Sequence, residues 1–121
     1  MEKKNKILGA SANDLYTDFS IAEVYHKYLP KIYLSEGVLE IATEEKCFWF
    51  IDLIKGNQKN LKKVPYQKWD LIKISTNQFK VTASDETNRV LVDHQVDDKD
   101  FFFGSLTFIK KLDKILLPCE M

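Results

Sequence analysis

The 121-residue sequence is poor in the residue types that build cross-linked or irregular proteins, with two cysteines, three prolines and four glycines. Two cysteines form at most one disulfide, which excludes a small fold held together by several disulfides. The 18 basic and 18 acidic residues cancel to a net charge of zero, whereas a dedicated nucleic-acid-binding module usually has a strongly basic balance. No apolar run in the sequence approaches the roughly 20 residues that a membrane-spanning helix needs.

The residues that are present are typical of a globular domain. Hydrophobic residues make up 45% of the chain and charged residues 30%, which excludes disorder as its main state. The length predicts one domain, which we place at residues 19–121 after a flexible arm at residues 1–18. The apolar part of the arm is too short for a secretory signal. We therefore expect a cytoplasmic protein in which Cys47 and Cys119 are buried and reduced.

Helical patterns occupy the first half of the chain. Ser20–Glu23 fits a capping box, and apolar residues then recur with helical spacing as far as Leu29. This pattern predicts a helix that ends before Pro30, because proline disfavours the helical conformation in the residue before it. Ser35 predicts the N-cap of a second helix, in which Val38, Ile41 and Ala42 share one apolar face.

Period-two alternation and turn residues follow in the second half. Because successive strands are separated by only a few residues, they cannot be parallel neighbours. The sequence therefore predicts an α+β fold, with N-terminal helices packed on a C-terminal antiparallel meander of about four to five strands. The predicted strands are Trp69–Ser75, Gln78–Ala83, Arg89–Val96, Leu106–Leu112 and Lys114–Pro118.

The sequence lacks the spacings that carry catalysis or metal binding. The ligand types His26, His94, Cys47 and Cys119 do not lie at zinc-binding spacings. The glycines form no phosphate-binding loop, and there is no nucleophile elbow. We therefore predict no catalytic residue, metal site or cofactor, and enzymatic activity is not favoured.

Asp52 is the one charged residue in the run Cys47–Ile54, which is apolar at the other seven positions. Such a run fits a buried strand or a buried helix, and the Gly56 that follows favours a helix. A buried acid must be paired, hydrogen-bonded or at the edge of a cleft. The structural interpretation of Asp52 is a paired carboxylate, and the functional alternative is a pocket around Asp52 and His26.

Lysines cluster in the segment Lys55–Lys68, which contains no acid. Lysines that hold phosphates beside an aromatic ring that stacks on a base are a known way to bind single strands. Against this, Arg89 is the only arginine, and arginine is the usual bidentate reader of phosphates and bases. The alternative is a solvated loop. The candidate binding residues are Lys55, Lys59, Lys62, Lys63, Tyr66 and Lys68.

Three consecutive phenylalanines, Phe101, Phe102 and Phe103, follow the acidic loop Asp97–Asp100. They cannot all point inward from one strand, so an exposed ring beside charges is a candidate hot spot for a protein partner. The alternative is an irregular loop under the sheet. The acidic hairpins and the basic Lys55–Lys68 segment give the neutral chain a charge asymmetry that steers it toward a complementary partner.

Five segments of the chain carry a family resemblance: Phe19–His26, Tyr33–Val38, Phe48–Ile54, Gln67–Leu71 and Ile115–Glu120. Together they resemble a family of small bacterial proteins of unknown function, found largely in phages, plasmids and integrative elements. The resemblance implies a mobile-element setting, in which small proteins without catalytic motifs often bind a host machine and block it, as anti-CRISPR proteins do. A setting of this kind does not establish a function.

These observations favour a non-enzymatic protein that binds a host protein or ribonucleoprotein. A CRISPR-type nuclease, which carries a guide RNA, is the sharpest target. The alternatives are a small ligand-binding protein or enzyme with the Asp52 pocket, and a homo-oligomeric structural module.

Overall fold

A seven-stranded mixed sheet forms the framework, and helices pack on one of its faces. The computed structural model describes residues 9–121. The helices are α1 (Ala12–Leu15), α2 (Glu36–Glu44) and α3 (Phe48–Gly56), and two 3₁₀ turns span Gln58–Asn60 and Pro118–Glu120. The strands are β1 (Tyr25–Leu29), β2 (Ile32–Ser35), β3 (Tyr66–Ser75), β4 (Gln78–Ser84), β5 (Val90–Asp97), β6 (Ser105–Lys111) and β7 (Lys114–Leu116).

The strand order β1-β2-β7-β6-β3-β4-β5 corrects the predicted meander. The fold is α+β as expected, but the sheet is larger, and only β3, β4 and β5 follow one another as a simple meander. The segment 98–104 then carries the chain past the ends of β4 and β3, so that β6 pairs with the other side of β3. All neighbours are antiparallel except β2 and β7, which are parallel.

The helix predicted from Ser20 to Leu29 is wrong, because Tyr25–Leu29 is strand β1, paired antiparallel with β2. The two tyrosines of this strand, Tyr25 and Tyr28, are of a type that is enriched in strands. Pro30 does not end a helix but occupies a tight turn, in which Lys31 has a left-handed φ of 63°. Proline is favoured in such turns because its φ is already fixed.

Helices α2 and α3 and the second-half strands form where the sequence predicts them, within a few residues. Ser35 caps α2, and its Oγ accepts a hydrogen bond of 3.2 Å from the backbone N–H of Val38. Helix α3 ends at Gly56, and its Phe50 stacks on Phe108 of β6 with ring centroids 5.3 Å apart. Phe50, Ile51 and Ile54 are completely buried.

Packed structure begins before the expected domain boundary at residue 18. Ala12 and Tyr16 are buried in the core. The Asn13 side chain donates to the carbonyl O of Thr107 (2.9 Å) and accepts from its N–H (2.6 Å). Because β7 has only three residues, this part of β6 has no strand partner on that side, and Asn13 takes that place. The remainder of the expected arm, residues 1–8, lies outside the described residues.

The parallel pairing of β2 with β7 brings two distant segments together, because parallel strands end at the same edge. Helix α2 follows β2 there, and Glu120 follows β7. The buried Glu120 carboxylate accepts hydrogen bonds from Ser35 Oγ (2.6 Å), Gly37 N (3.2 Å) and Leu117 N (2.8 Å). It thereby satisfies a free N–H at the start of α2, where the helix dipole favours negative charge.

No helix within residues 9–121 has the length and apolar character needed to cross a membrane.

Gly37 should be essential to this contact. A Cβ at Gly37 would lie 2.7 Å from Leu117 Cδ1 and 2.8 Å from Glu120 Oε1. We expect Gly37→Ala to lower the free energy of unfolding by about 1–3 kcal/mol, because both neighbours are buried and must shift. Urea denaturation measures this change.

The control is Gly56→Ala, since a Cβ at Gly56 meets no atom within 4 Å. It should leave stability unchanged or raise it by up to about 1 kcal/mol through helix propensity. Equal stabilities for the two variants would contradict the close packing at Gly37.

Candidate functional site

Three lysine-bearing segments that are far apart in sequence meet at one end of the sheet. The Leu112 N–H, in the turn between β6 and β7, donates to the Pro65 carbonyl O in the lysine segment (2.8 Å). The Tyr33 N–H of β2 donates to the Asp113 carbonyl O in the same turn (2.8 Å). The exposed lysines gathered here, which we call the basic end, are Lys27, Lys31, Lys59, Lys62, Lys63, Lys111 and Lys114.

The candidate lysines of the sequence divide into two groups. Lys59, Lys62 and Lys63 are exposed, whereas Lys55 and Lys68 are half-buried. Nearby Lys110 is buried, and its ammonium donates to the Leu112 carbonyl O. Burial and, to a smaller extent, Lys55 lower the pKa of Lys110, while Asp113 raises it. Lys110 therefore holds the β6–β7 turn, and the exposed lysines around it are the ones that a partner can reach.

Strand register places lysines and tyrosines in a single row at this end. The paired positions run Lys27 (β1), Tyr33 (β2), Lys114 (β7), Lys111 (β6) and Tyr66 (β3). We call these five residues the Lys-Tyr row.

The Lys-Tyr row lies on the face of the sheet that α2 and α3 do not cover, which we call the open face. Phe108 of β6 contacts α3, and side chains alternate along a strand, so Lys111, three positions later, points to the opposite face. The row's lysines are exposed, and Tyr33 and Tyr66 are half-buried. On the same face, the next pair of residues, Ile109 and Leu116, is buried. Ile109 and Leu116 therefore lie next to the Lys-Tyr row on the open face, and of these neighbouring residues it is the row that a partner can reach.

The acidic residues do not form one patch opposite the lysines. Asp97 is the last residue of β5, and Asp98 and Asp100 follow it at the far end of the sheet. Asp85 and Glu86 lie in the β4–β5 turn, at the same end of the strands as the lysines but nearer the β5 edge. Two acids are paired with cations, Asp93 with Lys80 and Asp85 with Arg89, both at 3.7 Å. The predicted charge separation is thus partial, and the basic end is its clearest part.

One of the three phenylalanines is exposed, as their sequence predicts. Phe101 and Phe103 are buried, and Phe102 is 38% exposed. Lys73 Nζ donates to the carbonyl O atoms of Phe101 (2.8 Å) and Phe102 (3.4 Å), so the segment is tied to β3. Phe102 lines a concavity of about 360 Å³ that Glu44, Glu45, Lys46, Lys73, Thr76, Asp100 and Phe101 complete.

Asp52 and His26 are each engaged with a different neighbour. Asp52 is exposed, which corrects the expectation of a buried acid, and it accepts a hydrogen bond of 2.7 Å from the Tyr28 hydroxyl. Burial, followed by this hydrogen bond, raises the pKa of Tyr28 to about 12. His26 Nε2 lies 3.9 Å from Glu36 Oε1.

Neither Asp52 nor His26 lines the Phe102 concavity or the larger one, of about 540 Å³, between residues 18–24 and the side chains of Glu36 and Glu120. Within residues 9–121, no group of three or more His, Cys, Asp and Glu residues is placed to hold a metal ion.

The two cysteines differ in exposure. Cys47 is completely buried, and burial, followed by the charge of Glu45, raises its pKa to about 12. Cys119 is exposed, which corrects the expectation that both thiols are buried. Its pKa is also raised, by partial desolvation and then by Glu120.

Sequence reasoning found the lysine segment and Tyr66 but missed Lys27, Tyr33, Lys111 and Lys114. These four enter the site only through strand register. Prediction of the β1–β2 hairpin would have found Lys27 and Tyr33, but the helical interpretation of Tyr25–Leu29 excluded that hairpin.

A family model described as a family of unknown function, DUF6876, matches residues 10–121. No curated protein and no solved structure matches the chain.

The Asp52–Tyr28 contact should contribute little to stability. We expect Asp52→Asn to lower the free energy of unfolding by less than about 1 kcal/mol, because the hydrogen bond is exposed to water. The matched control is Glu120→Gln, which removes the charge of a buried carboxylate with three donors. It should cost about 1.5–3 kcal/mol. Chemical denaturation measures both, and a larger loss for Asp52→Asn would show that Asp52 has a role we have missed.

The thiols should differ in reactivity. Iodoacetamide at neutral pH should alkylate Cys119 in the folded protein, because this residue is exposed, although its raised pKa should make the reaction slower than that of a free thiol. Cys47 should react only after unfolding, because it is buried and its pKa is raised. Peptide mass spectrometry with and without denaturant reads both sites, and rapid native labelling of Cys47 would contradict its burial.

Proposed function

We propose that this chain, which belongs to the DUF6876 family of unknown function, is a non-catalytic protein that docks on a ribonucleoprotein through its basic end. The observation that supports this is the convergence of exposed lysines from three separate segments at one end of the sheet. A chain of zero net charge has no overall attraction to phosphate, so such attraction has to come from local concentration of charge.

The chemistry of the basic end suits phosphate groups. Lysine ammonium groups act as compact point charges that neutralise phosphates without demanding a fixed geometry. Asp113, in the turn between Lys111 and Lys114, is half-buried, while the lysines on either side are exposed. The exposed charge of this region is therefore mainly positive.

A non-catalytic role is supported by the way the reactive side chains are used. Asp52 is bound to Tyr28, His26 is close to Glu36, and the Cys47 thiol is buried with a raised pKa. The alternative of a ligand pocket around Asp52 and His26 has less support, since the two residues are held by different partners. The homo-oligomer alternative stays a prediction that light scattering tests.

The finer proposal is that the partner is an RNA-guided antiviral nuclease of a bacterial host and that docking inhibits it. Its support is the resemblance to mobile-element proteins, together with an RNA-compatible basic end. Addition of the protein to a guide-loaded nuclease of this class should then slow cleavage of the target nucleic acid.

Removal of loop charges should weaken RNA binding and its salt dependence together. We expect the triple variant Lys59→Gln, Lys62→Gln, Lys63→Gln to bind a labelled RNA less tightly. The slope of log affinity against log salt should fall by about 0.7 for each phosphate that the variant no longer neutralises. Fluorescence anisotropy at several salt concentrations gives affinity and slope.

The matched control removes three lysines from outside the basic end: Lys46→Gln, Lys80→Gln, Lys99→Gln. It should retain both the affinity and the slope. Equal losses in the two triple variants, or binding that does not respond to salt, would refute docking through the basic end.

A further inference from the structure

We infer, on the basis of the proposed function, that the Lys-Tyr row on the open face is a stacking platform for unpaired bases of single-stranded RNA. Tyr33 and Tyr66 would each take the face of a base, and the lysines of the row would hold the phosphates. The proposal thus names the form of nucleic acid that the basic end recognises.

The spacing of the row suits an extended strand. Neighbouring strands of a sheet lie about 4.8 Å apart, so Tyr33 on β2 and Tyr66 on β3, three strand spacings apart, are separated by about 14 Å. Lys114 and Lys111 lie between them on β7 and β6. Side chains stand roughly perpendicular to a sheet, so all four residues project from one surface. Along the row, the two tyrosine rings thus flank the two lysines. This order matches two stacked bases with the phosphates of the connecting backbone between them.

Burial supports a platform fixed before RNA arrives. Tyr33 and Tyr66 are half-buried, so part of each residue is covered while part of it stays accessible. The buried residues Ile109 and Leu116 lie behind the row on the same face. A tyrosine held in this way loses little conformational entropy when a base stacks on it, because its side chain has few rotatable bonds.

Lys114 makes a cation–π contact with a tyrosine ring on the open face. Its Nζ lies 4.8 Å from the ring centroid of Tyr25, which is two residues before Lys27 on β1 and so points to the same side. A cation held over a tyrosine ring is kept at the height of the aromatic layer. A phosphate beside a stacked base would find the ammonium of Lys114 close to that height.

The chemistry of the row favours single-stranded RNA over a duplex or an acidic protein. In a duplex the bases are stacked inside, and a protein reads phosphates and 2′-hydroxyls. Lysines would bind that surface, but the tyrosine rings would add nothing. An acidic protein would also use the lysines without requiring an aromatic ring. Dependence on the rings therefore separates the proposed ligand from both.

The experiment compares ring removal with ring retention. Tyr33→Val with Tyr66→Val removes both rings and keeps strand propensity, and the matched control Tyr33→Phe with Tyr66→Phe keeps both rings. The probes are a labelled single-stranded RNA of mixed sequence and a duplex of that RNA, both measured by anisotropy.

We expect wild type to bind the single-stranded RNA more tightly than the duplex, because only the single strand offers unpaired bases to the two rings. Since stacking contributes about 1–3 kcal/mol per base, the valine variant should bind the single strand at least tenfold more weakly. Its duplex binding and salt slope should be unchanged, and the phenylalanine variant should bind as wild type does.

The results that would overturn the platform differ from those that would overturn docking through the basic end. If the valine variant retains full affinity for the single strand while the Lys59, Lys62, Lys63 variant loses it, the platform is wrong and the basic end stands. If wild type binds no RNA even at low salt, both proposals fail. Tighter or equal binding of the duplex overturns the assignment to unpaired bases.

Cross-linking keeps the test valid should the valine variant fail to fold. Wild type irradiated with RNA that contains 4-thiouridine should give cross-linked peptides containing Tyr33 or Tyr66. Cross-links confined to other parts of the chain would overturn the platform.

Discussion

The contact between Glu120 and the start of helix α2 is the constraint that holds strands β1 and β2 to the rest of the sheet. The parallel register of β2 and β7 covers only two residue pairs, Tyr33 with Lys114 and Leu34 with Ile115. Two residue pairs are a short connection, since the β1–β2 hairpin and helix α2 both attach to the rest of the sheet through it. Glu120 reinforces the connection, because its carboxylate binds Ser35 and Gly37 at once and is itself buried. The backbone of Ala22, which donates to the Glu120 carbonyl O (2.9 Å), adds a third segment.

This constraint explains why the segments that carry the family resemblance look structural. Phe19–His26, Tyr33–Val38 and Ile115–Glu120 meet around Glu120. Elsewhere in the chain, Gln67 is completely buried and exchanges two hydrogen bonds with Gln58 while accepting from Trp69 Nε1 (3.0 Å). The resembling segments thus position the sheet. Tyr33 belongs to one of them, whereas the exposed lysines of the basic end lie outside them.

The sequence allowed the local elements to be predicted better than their arrangement. Ser35 and Gly56 marked the ends of α2 and α3 correctly, because caps act within one turn of the helix. The helix predicted from Ser20 to Leu29 was wrong. Its apolar residues from Ile21 to Leu29 match helical spacing by chance, and Tyr25–Leu29 is a strand because it pairs with β2, a contact that local spacing does not reveal. The pairing of β2 with β7 had no local signal, since it joins residues about 80 positions apart, and the larger part of the Lys-Tyr row depends on that pairing. Lys55–Lys68 was visible because its charge lies in one continuous stretch.

The long separation between Ser35 and Glu120, 85 positions in sequence, has a consequence for the order of folding. Contacts between distant residues form slowly, since the intervening chain must lose entropy before the contact stabilises it. During synthesis on the ribosome, the β1–β2 hairpin and α2 have no partner at this edge until residue 120 has emerged. The antiparallel strands β3 and β4, joined by a tight turn, can pair long before that. The molecule is therefore expected to assemble from its middle outward, with its first hairpin joining last.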